Sequence, residues 1–349
     1  MGIKNYLKKL DQENTKDRDR IYNDVFIDCN YLIHYLIYGC TCDKDLYNKL
    51  FDFVKYLLNT ISIKNNLFLI FDGNYDKKYN VNPKIATHLK RYKVLLTVDD
   101  LSEELEGIPY DKQPIMPKSN IINTFKNYLS DIFNKFKICY NQSFKIIFNE
   151  DTVDGEADIK IMNTIINDVV EKTNICIISK DTDMILISYN IIIKFAQNNC
   201  CYNIDVLCNL RPIKFVNVNK LVQDFNDISI DYIIILFFMG NDFLPPISNI
   251  DYECLINTYR KLKSHYKNTK IIYKDQLNYD TLLLLLTYFI INKNIKYKFK
   301  NINLTRFQKY INNFKWCLHY YNITENYYKD TCYEIDSSTS VINVFNFIS

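Results

Sequence analysis

The chain has 349 residues, 48% of them hydrophobic, which supports one large core or two ordinary domains. Lys and Arg total 43 against 40 Asp and Glu, so net charge argues neither for nor against a polyanionic partner, and local charge has to decide. Eleven cysteines without a CxxC or a regular framework, behind a polar N-terminus (MGIKNYLKKLDQENTKDR), exclude a disulfide scaffold and point to reduced thiols in the cytoplasm, with the nucleus as the alternative.

In chain order, a β-rich run at 24–28 leads to a helical stretch at about 30–38, and a second helical pattern covers 44–61. A strand at 67–71 follows. After an insertion, FKIIF (144–148) reads as a strand, 156–171 as a helix and 175–179 as a strand. IIIKFA (191–196) and IKFVNV (213–218) are read as further strands. Alternation of this kind predicts an α/β fold, a central mostly parallel sheet with flanking helices. The insertion, 73–143, starts basic, turns acidic, passes a Pro-containing loop and ends in a helical pattern; connections of this length usually carry function or form a lid. From 251 to 325 the chain is mostly helical, basic and aromatic. The expected organisation is a catalytic domain at 1–250 and a helical C-terminal region at 251–349. TLLLLLTYFIINKNI (281–295) is too short to span a bilayer and reads as a buried helix, so no membrane partner is expected. A monomer is expected.

Seven acidic residues stand at the ends of apolar runs or the starts of helices. They are Asp28 in VFIDCN, Asp72 in FLIFDG, Glu156 and Asp158 in DGEADIKIM, Asp181 and Asp183 in ISKDTD, and Asp242 in FFMGNDFLPP. Each alone is also an ordinary cap or strand end. Parallel strands, however, deliver such ends to one edge of the sheet, where ligands bind. Seven carboxylates there repel one another unless cations hold them. Hard oxygen ligands in that number suit two Mg²⁺ or Mn²⁺ ions. Two ions about 3.5–4 Å apart are the usual clamp for in-line attack on a phosphodiester.

The order MGIKNYL, FIDCNYLIH, FDG, GEADIKIM, KDTDMILIS and FFMGNDFLPP resembles the Xrn-type 5′→3′ exoribonucleases, which belong with the flap endonucleases in one 5′-nuclease (PIN-like) superfamily. The likeness covers about 1–250 and continues weakly through 271–286 and 310–321. This chain is shorter than cellular members and reads as a minimal one, with a virus among the candidate sources. The resemblance implies two-metal hydrolysis of 5′-monophosphorylated RNA, processive from the 5′ end, to nucleoside 5′-monophosphates. A decapping factor is then a candidate partner. It places Asp28, Asp72 and Glu156 mainly on one ion, Asp181, Asp183 and Asp242 on the other, and Asp158 near both. The family usually has Glu where this chain has Asp158.

The resemblance also assigns the substrate contacts. His34, otherwise a packed or capping histidine, would stack on the 5′-terminal base. Lys84, His88 and Arg91 share one face if 83–93 is helical, with Lys90 beside them. Such a face is ordinarily just solvated, but it stands where the family grips the 5′-monophosphate, and the register could instead use Lys90 and Arg91. Gly2 resembles the family's N-terminal glycine near the active site. Trp316 reads as core or as a second stacking platform. The basic-aromatic stretches 258–274 and 293–310 read as nucleic-acid surface or as a solvated face. Two alternatives stand beside this reading. A flap-type 5′ DNA nuclease would want a Gly-rich hairpin after Asp242, where the chain has FLPPISN. A non-catalytic RNA-binding protein would gain nothing from seven carboxylates.

Overall fold

In the computed structural model, the described residues are 6–10, 13–14, 20–73, 115, 119–140, 143–149, 155–169, 173–196, 202–210, 212–241, 243–247, 250–267, 269–273, 276–293, 304–321 and 323. A 3-10 turn at Tyr6–Lys9 precedes β1 (Glu13–Asn14), β2 (Arg20–Asp28), α1 (Cys29–Ile37), α2 (Asp43–Thr60) and β3 (Ile61–Ile70). Next come α3 (Asn120–Cys139), β4 (Lys145–Asn149), α4 (Ala157–Asp168), β5 (Asn174–Ile178), α5 (Thr182–Ala196), β6 (Asn203–Leu210) and β7 (Ile213–Asn217). The remaining elements are α6 (Val218–Asp224), α7 (Asp231–Phe237), α8 (Tyr252–His265), the hairpin β8 (Ile272–Tyr273) and β9 (Gln276–Leu277), α9 (Tyr279–Asn292) and α10 (Leu304–Tyr320).

The main sheet has the order β1-β7-β6-β5-β2-β3-β4. Strands β6, β5, β2, β3 and β4 run parallel, while β7 is antiparallel to β6 and β1 to β7. The fold is therefore α/β with a mostly parallel sheet. Central β2 shows why: Val25, Phe26 and Ile27 are fully buried, as strands covered on both faces must be. One face is closed by α2, whose Leu46, Leu50, Phe53, Val54, Leu57 and Leu58 recur at helical spacing, packed with α1 and α3. On the other face, α4, α5 and α7 share one apolar cluster with α8, α9 and α10. That cluster also takes in Tyr6, whose hydroxyl meets Tyr232 at 2.9 Å, and Tyr232 meets Tyr252 at 2.9 Å. Residues 281–292 of that apolar run lie in α9, which buries Leu282, Leu285, Leu286 and Phe289. Among the described residues no helix is long and apolar enough to cross a membrane.

One expectation is corrected. IIIKFA at 191–196 is the end of helix α5, not a strand. This helix is buried almost all round, from Thr182 to Ile192, so it carries no amphipathic stripe, and its β-branched run looks locally like a core strand. The strand that stands beside β5 is instead β6, at 203–210, which the sequence reading passed over.

Chain order and sheet order diverge at β2. From β2 the chain runs outward through β3 to β4, then returns to β5 on the other flank of β2. A crevice at the carboxyl ends of strands is expected at such a switch point.

Candidate metal centre at the carboxyl edge of the sheet

Three carboxylates arrive at that sheet edge on three adjacent strands. Asp28 is the last residue of β2 and pairs in register with Ile70 of β3, while Ile27 pairs with Ile178 of β5. Asp72 follows β3 by two residues and Asp181 follows β5 by three, so the shared register sets all three at the same edge. Asp28 also caps α1, its Oδ1 accepting from the Tyr31 amide at 3.0 Å. Its Oδ2 accepts from the Ser179 hydroxyl at 3.2 Å. The Ser179 oxygen in turn accepts from the Asp181 amide at 3.2 Å, which links the ends of β2 and β5.

Glu156 and Asp158 come from the start of α4. Gly155, at φ 107°, turns the chain into this helix, and its carbonyl accepts from the Gly73 amide at 2.9 Å. The Asp72 Oδ1 accepts from the Ala157 amide at 2.7 Å, fixing the α4 N-terminus to the end of β3. On the other side, the Asp72 amide donates to Asn30 Oδ1 at 3.0 Å. Both Glu156 and Asp158 are 7% exposed. Asp183 lies in the first turn of α5, fully buried, and its amide donates to Asp181 Oδ1 at 3.1 Å.

The electrostatics match an acidic ion site. Burial pushes the Asp28 carboxyl up to about 7, and the charges of Asp72 and Asp181 add to that. Repulsion of this kind is what a divalent cation relieves, and every donor in the set is a hard oxygen. The residues present thus fit Mg²⁺ or Mn²⁺ in chemistry. Among the described residues no three or more His, Cys, Asp or Glu side chains are gathered closely enough to hold a metal ion as they stand. Asp242 lies outside the described residues. Its neighbours are well placed, however: Asn241 Oδ1 accepts from the Phe243 and Leu244 amides at 2.9 and 2.7 Å. Gly240 has φ 81°, and a Cβ there would stand 2.6 Å from the Pro246 nitrogen.

His34 lies exposed on α1, two turns beyond Asp28. The substrate candidates Gly2, Lys84, His88, Lys90 and Arg91 lie outside the described residues. Of the basic stretch at 258–274, Arg260 engages Asp227 through Nε at 2.7 Å, and Lys263 donates to the Asp227 carbonyl at 2.6 Å. These two cations pin α8 to the turn before α7. Trp316 stacks on Tyr320 and meets Phe243, with ring centroids 5.0 and 4.8 Å away.

Sequence reasoning missed several groups at this edge. Lys160 is 5% exposed and donates from Nζ to the Phe71 carbonyl at 2.9 Å, bracing the turn into Asp72. Its spacing of four from Glu156 was the available signal, since i and i+4 share a helix face. Asn30 and Ser179 had only their nearness to Asp28 and Asp181. Tyr320 donates to Glu156 Oε2 at 2.6 Å and lies 2.7 Å from Asp158 Oδ2, and no local pattern announces that contact.

A mostly parallel α/β sheet with carboxylates at the carboxyl edge of its switch point belongs to the class of folds that bind ligands there. The N-terminal profile of the XRN 5′-3′ exonucleases matches residues 2–195, more than half of the chain, and the chain belongs to that family. It is 21% identical over 299 residues to 5′-3′ exoribonuclease 1 of Saccharomyces cerevisiae, an alignment covering 70% of this chain and 19% of the yeast protein. The chain thus spans about a fifth of the relative's length. Among solved structures it is similar to the catalytic core of Rad2 in complex with DNA substrate, at 10% identity and TM-score 0.45, covering 99% of this chain and 92% of that one. Flap endonuclease-1 from Methanococcus jannaschii is 15% identical with TM-score 0.41, covering 91% of this chain and 99% of that one.

Proposed function

We propose that this chain is a divalent-metal-dependent 5′→3′ exoribonuclease that degrades 5′-monophosphorylated RNA. The observation that carries the reading is the arrival of Asp28, Asp72 and Asp181 at one edge, at the ends of three adjacent parallel strands, with the α4 N-terminus that bears Glu156 tied to Asp72 by the Ala157 amide. Asp28, Asp72, Glu156, Asp158, Asp181 and Asp183, with Asp242, would hold two Mg²⁺ or Mn²⁺ ions. When bound, such ions polarise the scissile phosphate and lower the pKa of the attacking water. The remaining work falls to the chain. Asn30 and the Ala157 amide hold Asp72 from two sides, Ser179 ties Asp28 to Asp181, and Lys160 braces the Phe71 carbonyl. His34, exposed beyond the cap of α1, offers a π-face to the 5′-terminal base. Lys84, His88, Lys90 and Arg91, with Gly2 nearby, would form the 5′-phosphate pocket. A cytoplasmic decapping activity would supply such ends.

The test offers purified protein and Mn²⁺ matched RNA and DNA bearing 5′-monophosphate, 5′-triphosphate or 5′-hydroxyl ends. Decay of 5′-monophosphate RNA alone is expected, with no action on circular RNA, because only that end matches charge-assisted bonds in a closed pocket. Activity should vanish in EDTA and in Asp181→Ala or Asp183→Ala, with RNA binding kept. Cleavage that persists without metal would sink the two-ion reading. Preference for flapped DNA would select the DNA nuclease alternative.

A further inference from the structure

Helix α10 comes from the far C-terminal part of the chain, yet it ends inside the acidic site. The Tyr320 hydroxyl donates to Glu156 Oε2 at 2.6 Å and stands 2.7 Å from Asp158 Oδ2. One phenol oxygen therefore bridges two carboxylates that lie two residues apart at the start of α4. Asp158 is gripped from its other side as well, because Oδ1 accepts from the Ile159 amide at 2.8 Å. Its carboxylate plane is fixed by one bond from its own helix and one from α10.

The tyrosine is itself held in place. Its ring stacks on Trp316 at a centroid distance of 5.0 Å and an interplanar angle of 24°, and it meets Phe243 at 4.6 Å. Phe243 belongs to the loop of Gly240 and Asn241, so the same ring ties α10 to the segment that carries the seventh acid. The next residue is anchored as well. Tyr321 is buried, and its hydroxyl accepts from Asn241 Nδ2 at 3.3 Å. Its carbonyl accepts from Asn190 Nδ2 of α5 at 2.9 Å. Two consecutive tyrosines thus reach from one helix end to the α4 acids and to Asn241 and Asn190.

We propose that Tyr320 is a positioning residue for the ion-binding carboxylates, orienting Glu156 and Asp158 towards the ion. The proposal rests on Glu156 and Asp158 being ion ligands. A hydrogen-bond donor behind a ligating carboxylate fixes its orientation, and losing one typically costs 10–100-fold in metal affinity or activity. It follows that α10 completes the metal centre, and that the α/β part without it would bind ions weakly.

The experiment titrates Mn²⁺ into the full chain by calorimetry, without RNA, for the wild type, Tyr320→Phe, and Glu156→Gln combined with Asp158→Asn. Phenylalanine keeps the stack on Trp316 and Phe243 and removes only the hydroxyl. Mn²⁺ affinity in Tyr320→Phe is expected to fall about 10–100-fold, with the melting temperature in EDTA unchanged. RNA hydrolysis should be slow at limiting Mn²⁺ and recover at saturating Mn²⁺, with KM for RNA unaltered; a merely structural defect would not be rescued by the ion. Wild-type affinity in Tyr320→Phe overturns the proposal, and tighter binding shows that the hydroxyl blocks the ion. If the double carboxamide variant also binds Mn²⁺ normally, the ligand reading falls as well; if that variant alone loses Mn²⁺, only the role of Tyr320 is refuted.

Discussion

Asp28 is where the structure makes a quantitative demand. Its carboxyl is pushed from an ordinary 3.8 up to about 7, first by burial and then by the charges of Asp72 and Asp181. A carboxyl whose pKa is raised by folding contributes stability that is fully present below about pH 4 and is lost as pH climbs towards about 7. The gap spans roughly three pH units, each worth about 1.4 kcal/mol, so the ceiling is about 4 kcal/mol. Asp28→Asn removes the charge and keeps the acceptor, because asparagine caps a helix as well as aspartate does. Its oxygen can still take the Tyr31 amide, and its amide group can face Ser179 Oγ. In EDTA near pH 8, about 1–3 kcal/mol of stabilisation is expected once the residual cost of burying an amide is discounted. With an unfolding entropy of about 2.1 cal/mol/K per residue, that is a rise of roughly 1–4 °C in Tm. Near pH 4.5 the variant and wild type should differ far less, since Asp28 is then protonated in the folded protein. Saturating Mg²⁺ should reverse the order at high pH, because only the wild type gains the full ion-binding energy. Scanning calorimetry at both pH values, with and without Mg²⁺, reads all four conditions. A variant no more stable than wild type in EDTA near pH 8, or equally shifted at both pH values, would refute the reasoning.

Three further outcomes are expected. His34→Ala should slow decay of 5′-monophosphate RNA about ten- to a hundred-fold, since stacking is worth about 1–3 kcal/mol per base, and His34→Phe should recover most of it; Phe as inactive as Ala in single-turnover assays would argue for proton transfer instead. Gly240→Ala should cost about 2–4 kcal/mol in urea melts, from φ 81° and the 2.6 Å approach to the Pro246 nitrogen; a neutral result would mean that the loop can open at no cost. Asp231→Ala should cost about 2–4 kcal/mol, because its carboxylate accepts from the Ile271 and Ile272 amides and the Tyr259 hydroxyl, all buried; hydrogen exchange at Ile271 and Ile272 should rise with it, and unchanged exchange there would contradict this account.

The amino-acid sequence by itself determined the α/β class, because strand-length apolar runs alternate with amphipathic helices such as α2, and each period is a local property. It also pointed to Asp28, Asp72 and Asp181 as a set, because a parallel sheet sends every strand's carboxyl end to the same edge. It misjudged 191–196, because a helix buried on all sides carries no periodic signal, and only packing against both sheet and C-terminal helices shows that α5 continues. The flanking order, with β3 and β5 on either side of β2, was likewise decided by tertiary pairing. The grip of Tyr320 on Glu156 and Asp158 had no signature of its own, and that of Lys160 on the Phe71 carbonyl had only the spacing of four from Glu156. The two tyrosine contacts join atoms more than 160 residues apart in the chain, and the lysine contact joins atoms 89 apart. Such contacts depend on where the fold places α10 and α4, and a pattern of neighbouring residues carries no information about that.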